Sequence, residues 1–386
     1  IAGLFCFWCN FHAMKEHSIL IIGGGLAGLC AAVHLAMEGL DVAILEKQTY
    51  PHHKVCGEYV SKEVEPYLQR LGIDLRAKGA IEISRFSMSA IDGYSIVTKL
   101  PLGGLGISRY AFDNYLYLRA KELGVIFYFE KVISTRFKND QFTVVTNVKN
   151  YTAKIVIGAY GKRSVLDKNL NRNFSRKKYS WLAVKAHYKV ADFPKGIVAL
   201  HNFKGGYGGL SQTETGAINF CYLAHYKSFK ACKDVDSYTQ EIVGENPSLR
   251  KFLENSEPVF DKPMTIAQIS FDKKDSVVDH MLMCGDTAGL IHPLCGNGMA
   301  MAIHSAKIAS EQIVLFYGQS KYSRVALEQG YRKAWSKNFA RRLWFGRILQ
   351  GILLNEKWVS IGLKSIGRSK TVLRYIISKT HGKPIV

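Results

Sequence analysis

The run SILIIGGGLAGLCAAVHLAMEGLDVAILEK, from Ser18 to Lys47, limits the possible folds more than any other stretch of this chain. Residues 19–22 are continuously apolar, as a strand buried on both faces must be. The run stops at Gly23-x-Gly25-x-x-Gly28 and passes into a helical pattern over 29–38. A second apolar run, Val42–Leu45, then ends at Glu46. Together these make a βαβ unit with a dinucleotide fingerprint. Gly23 lets the chain turn sharply, Gly25 lets the backbone approach a pyrophosphate, and Gly28 lets the helix pack tightly on the strand. Leu26 and Ala27, between the glycines, are counted with the cofactor-binding turn, and the helix after it offers unpaired N–H groups and a positive dipole end to that pyrophosphate. Glu46, followed by Lys47, stands where a carboxylate accepts hydrogen bonds from a ribose 2′-OH. GxGxxG alone is a common turn; with both strands, the helix and the acid it specifies an adenine dinucleotide.

The 386 residues suffice for about two domains, and an apolar content of 47% supports a large core. The net charge of +21 is unusual. Cations crowd the last third: Lys333, Lys337, Arg341, Arg342, Arg347, Lys357, Lys364, Arg368, Lys370 and Arg374. Such a surface is either simply solvated or attracts nucleic acid, anionic lipid or an acidic carrier protein. No nucleic-acid motif accompanies it. The eight scattered cysteines suit a reducing cytoplasm better than a disulfide framework. Cys6-x-x-Cys9 with His12 is half a zinc site without a second half, so no metal is expected. No apolar run is long enough for a transmembrane helix. Residues 1–13 are read as an upstream or cloning-derived remnant, outside the fold.

A loop, QTYPHHKVCGEYVS, follows Glu46, and 62–71 is helical. Strands are expected over 81–89 and 94–99, and a glycine-broken connection, PLGGLGISR, leads to Arg109 and a helix over 111–123. Short strands follow over 125–159. Residues 179–190, 197–203, 207–212 and 217–223 alternate as an antiparallel sheet does. A strand is expected over 264–271 and another over 280–284, where the chain meets Gly285-Asp286. A loop with Pro293, Gly296 and Gly298 then opens a helix over 299–317, and the pattern stays helical to the end. The expected architecture is α/β with two domains: a discontinuous Rossmann-like nucleotide domain (14–85, 107–165, 277–320), an inserted antiparallel-sheet substrate domain (86–106, 166–276) and a basic helical C-terminus (321–386).

Five motifs carry a family resemblance over most of the chain: Gly23–Gly28 with Glu46; KVCGEYVS; Ser108-Arg109 with Phe112-Asp113 and Leu116; GAYGKRSVL; and CGDTAGLIHPLCGNGMAMAIHSA. In this order the chain resembles the FAD-dependent oxidoreductases of the geranylgeranyl reductase and aromatic-hydroxylase superfamily. One departure stands out: Tyr160 occupies the place of the family's aspartate in the fourth motif. That change puts direct reduction by a transiently visiting NAD(P)H in doubt.

The resemblance implies roles for further residues. Asp286 would accept hydrogen bonds from ribityl hydroxyls, and Arg109 would contact the phosphate or ribityl region. Pro293, Gly296, Asn297, Gly298 and Met299 would border the flavin, with helix N–H groups at its N1–C2=O edge. Cys56, Glu58 and His292 are the candidate proton donors or bases. Against these stand plainer readings: Cys56 as a small buried hydrophobe, and Glu58 as a loop carboxylate paired with Lys54 or Lys62. Bound FAD implies either hydride transfer to a carbon–carbon double bond of a lipophilic substrate or oxygenation by hydroxylation or epoxidation. A halogenase would need a lysine near the flavin tunnel and usually carries a W-x-W-x-x-P segment, which is absent; a non-enzymatic prenyl-binding relative would not keep the FAD motifs. The substrate is expected to be carrier- or membrane-presented, the location cytoplasmic or peripheral at the inner membrane surface, with no specific nucleic-acid partner.

Overall fold

The computed structural model describes residues 15–162, 164–230, 232–290, 297–353, 356–366 and 382–386. The N-terminal stretch and the site candidates His292, Pro293 and Gly296 lie outside the described residues. β1 (Lys15–Ile22), α1 (Leu26–Met37) and β2 (Val42–Leu45) form the opening unit. β3 (Tyr59–Ser61), α2 (Glu65–Arg70), β4 (Ile81–Ser89), β5 (Ser95–Gly106) and α3 (Arg109–Glu122) follow. Then come β6 (Ile126–Tyr128), β7 (Val132–Lys138), β8 (Gln141–Thr146), β9 (Asn150–Gly158) and the short α4 (Val165–Asn169). The next block holds β10 (Trp181–Val190), β11 (Ile197–Phe203), β12 (Gly206–Gln212), β13 (Ile218–His225), α5 (Tyr226–Phe229), α6 (Val235–Glu241), α7 (Pro247–Glu254), β14 (Ser256–Pro258) and β15 (Met264–Ala267). The chain returns through β16 (Val277–Val278) and β17 (Met281–Met283), and ends in α8 (Gly298–Gly318), α9 (Arg324–Leu353) and α10 (Glu356–Ile366).

Two sheets organise these strands. The first runs β16-β17-β9-β1-β2-β6, with the β7–β8 hairpin joined to β9. β1 lies parallel to β2 and β9, with Ile22 opposite both Leu45 and Gly158. Ile19, Leu20 and Ile21 are completely buried, because α1 packs with α3 and α8 on this core and α9 lies on α8. β17 pairs parallel with β9, Met283 opposite Gly158. That pairing brings the segment after Met283 to the end of the sheet where the glycine turn lies.

The second sheet runs β14-β10-β13-β12-β11-β4-β5-β3, with β15 also on β10. It is antiparallel except where β11 meets β4. The domain boundary expected at residue 85 falls inside β4, which pairs with β5 over its length and with β11 from Arg85 onward. β3, expected in the nucleotide domain, also joins this sheet through β5. The glycine-broken connection is strand: β5 continues to Gly106 because Gly104 leaves room for the Tyr59 ring, 2.2 Å from where a Cβ would stand. The strand expected over 264–271 stops at Ala267, and Gln268 takes a left-handed φ of 60°.

Candidate active site

The glycine turn is built by close approach. Gly23 has a φ of 105°, and a Cβ on Gly28 would lie 2.0 Å from the Gly23 carbonyl oxygen. A side chain at Gly28 would push α1 off the end of β1, and one at Gly23 would run into the Ala159 carbonyl oxygen, 2.4 Å from where its Cβ would stand. Glu46 ends β2 nearly buried, and its Oε2 accepts from the Gly24 amide at 2.7 Å. Lys47, beside it, is exposed. Two cations face Gly25: Arg109 Nη2 and Lys54 Nζ lie 3.5 and 3.8 Å from its absent Cβ. Both reach Asp113, Arg109 by two hydrogen bonds of 2.7 and 2.8 Å and Lys54 at 3.0 Å. Burial pushes the Asp113 carboxyl up, but the charges of Arg109 and Lys54 outweigh it and hold its pKa below the ordinary value. Beside Gly25 the two cations exceed the one carboxylate they share, while the Glu46 carboxylate is held on the Gly24 amide; the cation excess at Gly25 suits a pyrophosphate. The sequence offers Lys54 only as a possible partner of Glu58: a cation eight residues after the ribose acid reads locally as loop solvation.

The second wall is the turn Gly285–Thr287. Side chains from three separate segments pin it, one as acceptor and two as donors. Gly285 N donates to Ser305 Oγ at 2.8 Å, Lys274 Nζ donates to Asp286 O at 2.8 Å, and Arg172 Nη2 donates to Thr287 O at 2.8 Å. The Asp286 carboxylate itself makes no hydrogen bond among the described residues, which leaves it open to a ligand hydroxyl. Arg172 also pairs with buried Asp167 at 3.0 Å, and the Tyr160 hydroxyl donates to Asp167 at 3.2 Å. The tyrosine in the aspartate's place thus ties into an ion pair that steadies the turn from outside the motif. At the start of α8, Asn297 Nδ2 donates to buried Glu63 at 3.2 Å, and Arg342 of α9 donates to the same carboxylate at 2.9 Å. This ties the Asn297 side-chain amide to Glu63, next to the Gly298 and Met299 amides at the start of α8.

Between these walls lies the loop 54–58, held by its carbonyls from the second sheet and, at Val55, from Lys162 just after β9. Lys185 Nζ donates to Lys54 O at 3.1 Å and Lys162 Nζ to Val55 O at 3.5 Å. Asn219 Nδ2 donates to Cys56 O at 3.2 Å and Ser211 Oγ to Gly57 O at 2.8 Å. Glu58 completes the attachment. It is 0% exposed, as is Lys185, which donates to its Oε1. His187 Nε2 lies 2.7 Å from its Oε2, and the Arg109 amide donates to Oε1 at 2.8 Å. Burial pushes the Glu58 carboxyl up, yet His187 and Lys185 outweigh that and lower its pKa. Glu58 is therefore an ionised anchor, not a poised acid, and its partners are Lys185 and His187, not Lys54 or Lys62. Its φ of 53° is costly for a non-glycine residue; the ion cluster holds it there. Cys56 Sγ, partly exposed, lies 3.3 Å from Met299 Sδ. His53, Glu58 and His187 also bring three metal-ligating atoms within 4.8 Å of one another, with the Lys185 ammonium on the same carboxylate.

The cradle fits FAD: the clash a Cβ would make at Gly28, the surplus positive charge at Gly25 and the open Asp286 carboxylate match an adenine dinucleotide carrying a ribityl chain. The model of the family described as FAD binding domain matches residues 16–326. A digeranylgeranylglycerophospholipid reductase of Methanococcus aeolicus is 24% identical over 358 residues, covering 87% of this chain and 87% of that protein. Among solved structures, the flavin-dependent brominase Bmp2 superposes with a TM-score of 0.77 at 17% identity, covering 95% of this chain and 93% of that one. A geranylgeranyl bacteriochlorophyll reductase-like protein of Thermoplasma acidophilum superposes with a TM-score of 0.75 at 19% identity, covering 95% and 96%.

Proposed function

The chain belongs to the FAD-binding-domain family and is an FAD-dependent oxidoreductase, and from that premise we propose that it reduces carbon–carbon double bonds of a lipophilic substrate. The observation that carries this reading is the position of Cys56. Its thiol stands at the first turn of α8, on a loop whose carbonyls from Lys54 to Gly57 are all held by side-chain donors. A rigid thiol at that seam can hold a proton for a substrate carbon.

The remaining roles follow from the same walls. Gly23, Gly25 and Gly28, with Arg109 and Lys54, would bind the pyrophosphate, Glu46 the ribose and Asp286 the ribityl hydroxyls. The amides of Gly298 and Met299, at a helix N-terminus, would stabilise negative charge at the flavin edge. Bound flavin supplies a hydride once a nicotinamide or another donor has reduced it. Substrate carbon chains would pass over the apolar cluster of Tyr59, Ile83, Met88, Leu200, Tyr207 and Leu223 on the second sheet. The relationship to a digeranylgeranylglycerophospholipid reductase supports a polyprenyl substrate.

The test is anaerobic reduction of the purified flavoprotein, followed by mixing with a polyprenyl alkene or with O₂. Saturation of the alkene without oxygen consumption supports the reading, and Cys56→Ala lowers it roughly 100-fold, as loss of a general acid does. Hydroxylated or epoxidised product formed only with O₂ overturns it in favour of oxygenation.

A further inference from the structure

We propose that the solvent-facing side of α9 docks this protein on the surface of an anionic lipid bilayer. Between Gln329 and Leu353 the helix carries six cations, Arg332, Lys333, Lys337, Arg341, Arg342 and Arg347, and no acid. Its one carboxylate, Glu328, is buried and faces His280 at 2.7 Å and Arg332 at 3.4 Å. Leu327, Tyr331, Trp335 and Phe339, each four residues from the next, are buried and fix which face turns inward. Arg342 also turns inward, to Glu63. Lys333, Lys337, Arg341 and Arg347 are left exposed with no opposing charge on their own helix.

The outward face is not purely cationic. Lys337, Arg341, Trp344 and Ile348 follow one another at helical spacing, and Trp344 and Ile348 are 57% and 43% exposed. On α10, Ile361 is 57% exposed. A basic stripe that ends in an exposed indole and an isoleucine matches an interface with charged headgroups outside and acyl chains beneath. Lysine and arginine meet the phosphates, tryptophan sits at headgroup depth, and the aliphatic side chains enter the acyl boundary. Nucleic acid would match the charge but offers nothing to Ile348 and Ile361. No helix among the described residues is long and apolar enough to cross a membrane, so the contact is peripheral. The proposal stands on α9, with Ile361 of α10 beside it only as a further exposed aliphatic side chain, and its failure leaves the flavin reaction untouched.

The test is cosedimentation of the full-length flavoprotein with extruded vesicles. Phosphatidylcholine with about 30 mol% phosphatidylglycerol is compared with pure phosphatidylcholine in about 0.05 M and about 0.5 M salt. Binding to the anionic vesicles at low salt, lost at high salt and absent on neutral vesicles, is expected. Lys337→Gln with Arg341→Gln lowers the partition coefficient about 25-fold, at about fivefold per cation. Trp344→Ala lowers it about tenfold, with flavin content unchanged. Lys227→Gln with Lys251→Gln, outside α9, leaves it unchanged. Failure to sediment at low salt overturns the proposal, as does equal binding by the α9 double variant. Capture by an immobilised acidic acyl carrier protein with no vesicle binding overturns it in favour of a protein partner.

Discussion

The two sheets solve the problem of a polar site in opposite ways. The first builds its site mainly from backbone, with glycines at the turn and amides at helix ends, and adds few side chains: Glu46 after β2, the Arg109–Asp113–Lys54 cluster and Asp286. Its interior is apolar, with Ile19, Leu20, Ile21, Ala43 and Ile44 fully buried. The second buries polar side chains and uses them as clamps. Lys185, His187, Ser211 and Asn219 project from its strands onto the loop 54–58, and His201, Asn202 and Asn246 fill its other polar interior. A backbone cradle tolerates no added atoms. A side-chain clamp tolerates no lost charge.

That contrast can be broken most severely at Lys185. Lys185→Met leaves Glu58 buried and unpaired except for His187 and one amide, and should cost about 3–5 kcal/mol of stability, measured by urea unfolding. Adding Glu58→Gln to the same variant should recover most of the loss, since the uncompensated charge is gone. A double variant as unstable as the single one would show that the ion pair is incidental.

Gly28→Ala probes the other strategy. Its Cβ would meet backbone, so the upper range for overpacking applies, about 3 kcal/mol. This cost is measured by urea unfolding, and FAD retention, read as flavin absorbance per folded protein, should fall with it because the clash lies in the glycine turn. Full flavin content in that variant would remove the cradle from the account.

The two regions should also respond alike to acid. Burial lowers His34 and His304 near the first sheet, and His201 in the second, to about 4 each, with nearby cations adding to the effect on the first two. A histidine whose folded pKa is depressed binds fewer protons folded than unfolded between about pH 6.5 and 4. Stability therefore falls as pH drops through that window, by up to about 1.4 kcal/mol per pH unit for each histidine. Replacing His201 with glutamine should flatten that slope by one proton in a pH series of urea midpoints.

The smallest effect is expected at Ser211. Ser211→Ala removes one donor from Gly57 O and should cost about 1 kcal/mol. Its sharper readout is catalytic: a loosened loop lowers turnover on an alkene while FAD content stays the same.

The nucleotide half was legible because its signals are local. Strand, glycine spacing, helix and acid lie within thirty residues, Ser18–Lys47, and each is dictated by sterics that neighbours in sequence already set. The return at Gly285-Asp286 was legible for the same reason. The role of Glu58 was not. Its partner Lys185 is 127 residues away, and in WLAVKAHYKV a lysine reads as the polar face of a strand. The one hint was a cation inside a run that is otherwise nearly all apolar, which a strand buried on both sides permits only with a partner.

By itself, the sequence determined the parallel nucleotide unit, the insertion of an antiparallel sheet and the cofactor class, since periodicity and glycine placement act through nearest neighbours. Only the tertiary structure decided which charges are spent. It paired Glu58 with Lys185 and His187, assigned Asp113 to Arg109 and Lys54, turned Arg342 inward to Glu63, and left Lys337 and Arg341 facing solvent. Coulomb energy depends on distance and burial, and both arise only when segments far apart in the chain are packed together.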